Sequence, residues 1–417
     1  MDNAELNQPH EPLLAHWRNP AKTDSVAREV WNVFQSTVTM LELIATRVVG
    51  KGSRGDGVVT HPAAMLLATP AGREMLIEYI RLCSNQLQII CAEFRSIAQP
   101  LRTFNFVVSE TLPIPGDLEQ NELQLKLPEQ CAVENRAETQ RKLNEFAALL
   151  RQRGFVAYKD SHILLNPRTH FAVAMIYDKD TEKICLHIRD TASDGFWERG
   201  SWVNWVADLQ QGVGLVPEVY ALGDMFVRGC VEIFGPENLQ LSGYSMGGGI
   251  GIFAGARNFV PAVVFNPAFL SPHHVRFLPD GWRDFAKEHI QVLSVSNDVL
   301  SRQLDNPETG GIFPTELFEG AQVYVTDPAD EARGLASELR NSIHGHYLSV
   351  LLFGLLRTAM QDPELCKYAW QTLIELPQEV QAAFVRQNAP LFTQLLQALM
   401  LPVLATQNPL MSLAQFA

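Results

Sequence analysis

Basic residues are in short supply. The chain has 33 lysines and arginines against 46 aspartates and glutamates, giving a formal charge of −13 and a pI near 5.3. Nucleic-acid binding needs a basic footprint, so this balance excludes a nucleic-acid partner. Capture by an anionic membrane through charge alone is excluded on the same ground, whereas apolar docking to a lipid surface stays open. Cysteine is sparse too: there are six, and no two form a C-x-x-C pair. Cys83, Cys91, Cys131, Cys185, Cys230 and Cys366 include several on apolar faces, which reads as reduced, core-filling thiols of a reducing compartment. No apolar run reaches the length of about 18 residues that a membrane span requires, so no transmembrane helix is expected. Residues 1–20 are polar and proline-punctuated, without the basic-then-apolar order of a secretory signal. A cytoplasmic location is therefore expected, with export by a signal-independent secretion system as the other route. What is present is ordinary globular composition, 47% hydrophobic and 19% charged, in a chain of 417 residues able to bury one large core or two modest ones.

The organising stretch is Gly243-Tyr244-Ser245-Met246-Gly247, a G-x-S-x-G pattern. Glu237 to Ser242 is a short alternating run able to end a strand there, and Gly248 to Ala256 is small-residue-rich and continues as a helix. A serine on so sharp a strand-to-helix turn sits on strained backbone. Side chains two residues either side would collide with neighbouring elements, which is why both positions are glycine. Ser245 is thus a candidate nucleophile. The simpler reading is a buried serine in a glycine-rich turn.

Taken in order, the chain first shows Val26, Val30, Phe34, Val38, Leu41 and Val48 at helical spacing, capped by Asp24 or Ser25. A glycine-rich loop over residues 50–57 contains an Arg-Gly-Asp triplet, to which no adhesive role is assigned. Beyond Pro70 a second helix is marked by Leu76, Ile80, Cys83, Leu87, Ile90 and Phe94. Two such helices cannot bury their stripes alone and must pack on another body. Residues 101–130 read as a mixed connector with an extended linker at 111–116. A third helix spans Val133 to Arg153, stopped by Gly154. Then come β-rich runs at 161–165, 171–177 and 183–189, a helical stretch over 201–234, and strands at 262–265, 289–296 and 321–326. An antiparallel hairpin followed by strands alternating with helices predicts an α/β fold. Its sheet is mixed and mostly parallel, with flanking helices. The predicted organisation is a mainly helical N-terminal region and linker (1–130), an α/β catalytic domain (131–360), and a helical C-terminal extension packed on it (361–417).

A serine hydroxyl needs a histidine base, and the base needs an orienting carboxylate. The order Ser, then Asp or Glu, then His points to residues after 245. Asp298 follows the predicted strand 289–296 at the carboxyl end, where such sheets display their sites. Asp305 and Asp327 are its alternatives, and Asn297-Asp298 as a simple turn is the bland reading. His344 and His346 stand directly before the apolar helix Leu348 to Met360; capping that helix is their structural alternative. His273 and His274 precede the acid and break the order. The histidine pairs lack cysteine or carboxylate ligands at site spacing, so no metal is assigned. The oxyanion needs two donors: the Met246 amide at its helix N-terminus, and the turn Asp190-Thr191 after the strand ending Leu186 to Arg189. Gly249 to Ala254 matches G-x-G-x-x-A only weakly. Its glycines lie inside the helix, and the next strand ends in Asn266 rather than an acid.

Ile188-Arg189-Asp190-Thr191, Asn204-Trp205-Val206-Ala207-Asp208-Leu209, the Ser245 turn and Val264-Phe265-Asn266-Pro267 fall in that order. This series resembles the class 3 lipases over roughly residues 155–347. The resemblance implies an α/β-hydrolase fold and hydrolysis of lipid esters. It implies that Thr191 supplies an oxyanion donor, and its H-x-x-Y pattern falls on His344 and Tyr347, favouring His344 over His346. Asp190 stands where the family has glycine, and Tyr244 where it prefers histidine. Ala192 to Val203 lengthen the family's lid segment, and Phe196, Trp197 and Trp202 in it suit a hydrophobic lid or interface anchor. A loop folded onto the core by its aromatics is the other reading of that insert.

The expectation is a serine esterase of lipase or phospholipase type acting on a lipid or small ester, with no cofactor. Acyl transfer to an alcohol through the same residues is one alternative. A catalytically decayed hydrolase serving as an interaction protein is another; Asp190 favours it, and the helical N- or C-terminal regions would then meet a protein partner. The tail, with Phe384, Leu391, Leu395, Leu399 and residues 401–404, suits docking on the catalytic body ahead of peripheral membrane contact.

Overall fold

The computed structural model describes residues 60–95, 105–106, 108–114, 117–157, 163–169, 171–189, 218–268, 270, 272–295, 298, 322–325 and 347–387. The expected first helix, the Arg-Gly-Asp loop and the tail beyond residue 387 lie outside these.

The N-terminal part opens with strand β1 (Thr60–Pro62) and helix α1 (Pro70–Arg95). The region expected to be a connector contains β2 (Asn105–Phe106), β3 (Val108–Ile114) and β4 (Asp117–Leu125), and β3 and β4 pair as an antiparallel hairpin of their own. Helix α2 (Arg136–Gln152) follows, capped by the Asn135 side chain, which accepts from the Glu138 amide at 3.1 Å. Gly154 ends it with a positive φ of 80°. Strands β5 (Val156–Ala157), β6 (Ile163–Leu165), β7 (Ala172–Asp178) and β8 (Lys183–Ile188) form the predicted antiparallel run. Then come α3 (Glu218–Phe234), β9 (Leu239–Tyr244), α4 (Met246–Asn258) and β10 (Ala262–Phe265). After these stand α5 (Trp282–His289), β11 (Ile290–Val295) and β12 (Gln322–Val325). Three helices close the described chain: α6 (Leu348–Ala359), α7 (Pro363–Glu375) and α8 (Gln378–Gln387).

Ten strands join one sheet in the order β1-β12-β11-β10-β9-β8-β7-β6-β5, with β2 also on β7. Pairing from β1 through to β8 is parallel, and each neighbouring pair along β8, β7, β6 and β5 is antiparallel. The α/β class and a mixed sheet flanked by helices therefore stand as predicted, with the parallel pairing confined to the part from β8 to β1. Strands β8 to β11 are neighbours in chain order, and right-handed crossovers put the connecting helices of such a series on one face. Residues of α3, α4 and α5 accordingly share one core cluster with α2, around Phe226, Ile250, Phe253 and Trp282. The opposite face is covered by α1, α6, α7 and α8, whose Leu76, Leu351, Leu373 and Phe384 pack with Phe265, Leu293 and Val295 of the sheet. Helix α1 thus buries its stripe on the sheet itself, and β1 extends that sheet beside β12. Ala63, Leu76, Ile80, Cys83 and Leu87 thus share one core with the strands that bear the candidate site.

Among the described residues, no helix is long and apolar enough to cross a membrane. Cys83, Cys131, Cys185 and Cys230 are buried free thiols, and burial raises the pKa of each, Cys185 to about 11.

Candidate active site

The β9–α4 junction is built by close approach. Ser245 has φ 55° and ψ −122°, a left-handed backbone that L-residues rarely hold unless their surroundings impose it. Serine at a helix N-cap ordinarily accepts from the first-turn amides. Here its side chain makes no cap hydrogen bond, so the hydroxyl is not engaged in capping α4. Two glycines make the turn sterically feasible. A β-carbon on Gly243 would stand 2.3 Å from the Gly247 carbonyl oxygen, and one on Gly247 would stand 2.3 Å from that of Arg189. The G-x-S-x-G spacing is therefore explained by backbone contact at both ends. Ser245 is also held from the side: its amide donates to Phe265 at 3.1 Å, and its carbonyl accepts from Ala268 at 2.8 Å.

Met246 opens α4, so its N–H is one of the first-turn donors without an intrahelical acceptor, at the positive end of the helix. The helix itself is glycine-rich because it is packed close: a β-carbon on Gly249 would meet the Tyr220 hydroxyl at 2.4 Å. Gly249 and Gly251 lie within this filled helix rather than at an open phosphate-binding mouth.

Asp298 follows β11 and is fully buried. Its amide donates to the Val295 carbonyl at 3.0 Å, closing a turn at the carboxyl end of the strand. A carboxylate out of water requires hydrogen-bonding or charged partners, which marks this position off from a surface turn. Ser245 and Asp298 thus sit at the carboxyl ends of β9 and β11, on either side of β10. Between them lies a residue that the sequence marks as the end of a strand and as part of the lipase-like series, but to which no role is assigned from sequence. Asn266, directly after β10, is fully buried with φ 40°, and its Oδ1 accepts from the Val295 amide at 2.9 Å. The available signal was Asn-Pro after a strand, since asparagine tolerates left-handed backbone and X-Pro marks turns.

The other candidates fall where little or nothing is described. His344, His346, Asp190, Thr191, Phe196, Trp197, Trp202, Asp305 and Asp327 lie outside the described residues. Tyr347 is the exposed N-cap residue of α6, and the first carbonyl of that helix, on Leu348, accepts from the Cys83 thiol of α1 at 4.0 Å. His274, set aside on grounds of order, is buried with its ring 4.4 Å from that of Tyr220 and 5.3 Å from that of Phe253, packed as an aromatic.

A second buried histidine, His187 of β8, was not singled out from sequence. Its Nδ1 lies 3.3 Å from Gln86 Oε1, and facing an acceptor it carries the ring proton. Gln86 Nε2 in turn donates to the Ile188 carbonyl at 3.0 Å, so one fully buried glutamine of α1 holds the end of β8. Among the described residues, His187 Nε2 has no hydrogen-bond partner. Burial, and secondarily the Arg81 guanidinium, push the His187 pKa down to about 3. Arg81 pairs with Asp178, and Glu78 accepts from Gln240 at 2.6 Å, adding two further polar contacts of α1 with the sheet.

Fold and site together define an α/β protein with a strained serine between a central strand and a glycine-rich helix, and a buried aspartate two strands along. No protein-family model and no curated protein matches the chain.

Proposed function

We propose that the chain is a serine-dependent carboxylic ester hydrolase of α/β-hydrolase fold, acting on lipid acyl esters in the manner of a lipase or phospholipase A. The observation that carries the reading is the backbone of Ser245. A left-handed serine fixed between glycines that touch neighbouring backbone is the geometry of a nucleophile elbow, and a buried serine in an ordinary turn has no need of it. The buried Asp298 after β11 supports it, being in the right chain order and at the right edge of the sheet. The lipid class rests on the resemblance to class 3 lipases.

In this reading Ser245 Oγ attacks the acyl carbon while His344, or His346 in its place, takes the hydroxyl proton. Asp298 orients the ring and stabilises the imidazolium. The Met246 amide and Thr191 hold the oxyanion as the tetrahedral centre forms. The imidazolium returns the proton to the leaving alcohol, and water repeats the sequence on the acyl-enzyme to release the acid. With an alcohol in place of water the same residues perform acyl transfer. Phe196, Trp197 and Trp202 serve as the lid that meets the lipid surface.

The test is Ser245→Ala against wild type on short and long acyl esters and phospholipids, with an alcohol acceptor in parallel. Hydrolysis lost in the variant supports the reading, and esters of the added alcohol would shift it to acyl transfer. Equal hydrolysis by both proteins rejects Ser245 as nucleophile. An inactive wild type that binds a partner protein would instead favour the decayed-hydrolase alternative.

A further inference from the structure

We infer that Asn266 is a positioning residue that places Asp298, and so couples the acid to the nucleophile; this rests on the reading of Ser245 and Asp298 given above. Asn266 stands where β10 leaves the sheet, bent by its left-handed φ of 40°. Both ends of the residue nevertheless reach β11. Its amide donates to the Leu293 carbonyl at 2.8 Å, and its side-chain oxygen accepts from the Val295 amide at 2.9 Å. In a continuing parallel ladder the Val295 N–H would bond the main-chain carbonyl of residue 266. Asn266 Oδ1 holds that place instead, so the ladder runs one bond beyond the bend. The same Val295 carries, on its carbonyl, the 3.0 Å hydrogen bond from the Asp298 amide. The peptide units flanking Val295 are therefore fixed on one side by Asn266 and on the other by the turn that bears the acid.

The flank facing β9 is fixed just as closely. Phe265, immediately before Asn266, accepts from the Ser245 amide at 3.1 Å, and Ala268 donates to the Ser245 carbonyl at 2.8 Å. The segment from Phe265 to Ala268 thus grips the nucleophile with its backbone and the acid-bearing turn with the Asn266 side chain. Few residues fit position 266. Only glycine, asparagine and aspartate visit left-handed backbone readily. Glycine would give the bend without the acceptor, and aspartate would give the acceptor with an added negative charge. Asparagine supplies bend and neutral acceptor together. Without an acceptor, the Val295 N–H can be satisfied only by moving, and the Asp298 turn moves with it.

The experiment is a double-mutant cycle in the full chain, read as steady-state hydrolysis of p-nitrophenyl esters, with thermal melting followed for every variant. Asn266→Gly keeps the bend and is expected to fold. Its kcat should fall about ten- to a hundredfold, with KM changed by less than about twofold. Asn266→Asp, which keeps the acceptor, should retain more of the wild-type kcat than Asn266→Gly. On an Asp298→Asn background, Asn266→Gly should cost no further activity, because its effect passes through the acid. Wild-type kcat in Asn266→Gly overturns the inference, as does a full multiplicative loss when it is combined with Asp298→Asn. If Asn266→Gly does not fold, Asn266→Asp decides: a loss as large as that of Asp298→Asn overturns it. Full activity of Asp298→Asn rejects the acid itself, and a wild type inactive on every ester rejects the proposed function together with the role of Asn266.

Discussion

The backbone of Gly247 lies so close to Arg189 that a β-carbon there would stand 2.3 Å from the Arg189 carbonyl oxygen, and 2.4 Å from that of Ile188. These are main-chain atoms that cannot swing aside, and they belong to the end of β8, directly before Asp190 and Thr191 in the chain. Gly247→Ala should therefore destabilise the fold by about 1–3 kcal/mol through overpacking. The matched control is Gly281→Ala, at φ 81° with nothing within 4 Å, which should cost only the left-handed penalty of about 1–2 kcal/mol. Urea midpoints at unchanged m-value measure both. Ester hydrolysis should be lost in the first variant and kept in the second.

Strain at Ser245 makes a second prediction. A serine at φ 55° and ψ −122° is held there by its neighbours, and glycine accepts that backbone at less cost. Ser245→Gly should thus raise stability by about 1 kcal/mol while abolishing hydrolysis, a trade expected of a functional residue. Calorimetry of the two proteins checks it; a destabilised Ser245→Gly would show that the turn is not strained.

Asp298→Asn should lower kcat by about 10³–10⁴ if the buried carboxylate orients a catalytic imidazole, with KM little changed. Asp305→Asn and Asp327→Asn, the alternatives read from sequence, should leave kcat within about threefold of wild type. Kinetics on the three variants separate them, and a large loss in either alternative would reassign the acid.

The buried His187 makes stability depend on pH in a defined window. Its folded pKa is about 3, below the ordinary histidine value of 6.5, chiefly through burial and then through Arg81. Between those values the unfolded chain binds a proton that the folded chain does not, so stability falls as pH falls. This stability contribution is fully present above about pH 6.5, and declines by about 1.4 kcal/mol per pH unit until it is lost near pH 3. Carboxylates elsewhere in the fold add slopes of their own. The measurement is therefore a difference: His187→Asn should show a shallower loss of urea stability than wild type from pH 6.5 to 4.5. Parallel curves for the two proteins would contradict it.

Much of the sheet was legible because its central strands are short apolar runs bounded by turn residues. The range of β10 was read as it stands, Ala262–Phe265, and β9, β11 and β12 to within a few residues. The hairpin of β3 and β4 was not. Its second strand, Asp117–Leu125, carries acidic and amide residues of poor strand propensity, Pro113 interrupts the first, and the register shifts between them. Strands as short as Thr60–Pro62 and Val156–Ala157 have too few residues to show a period of two, and they exist because the sheet edge offers partners.

The site was partly legible for a similar reason. Ser245 and its glycines form a local pattern fixed by local sterics, so the letters alone indicate the turn. Asn266 and Gln86 act on groups far away in sequence, on Val295 and on His187 and Ile188 respectively. Gln86 shows up in the sequence only as a polar residue beside the stripe Leu76, Ile80, Cys83 and Leu87, with nothing to say which carbonyl it meets. Such long-range polar contacts are set by topology, which periodicity does not encode.

The central claim is that Ser245 is an activated nucleophile, and labelling of the full chain with a fluorophosphonate followed by peptide mass mapping tests it most directly. The account predicts one stoichiometric adduct on the peptide containing Ser245, absent from Ser245→Ala and slowed in Asp298→Asn. A wild-type protein that takes no adduct, or takes it on another residue, would contradict it.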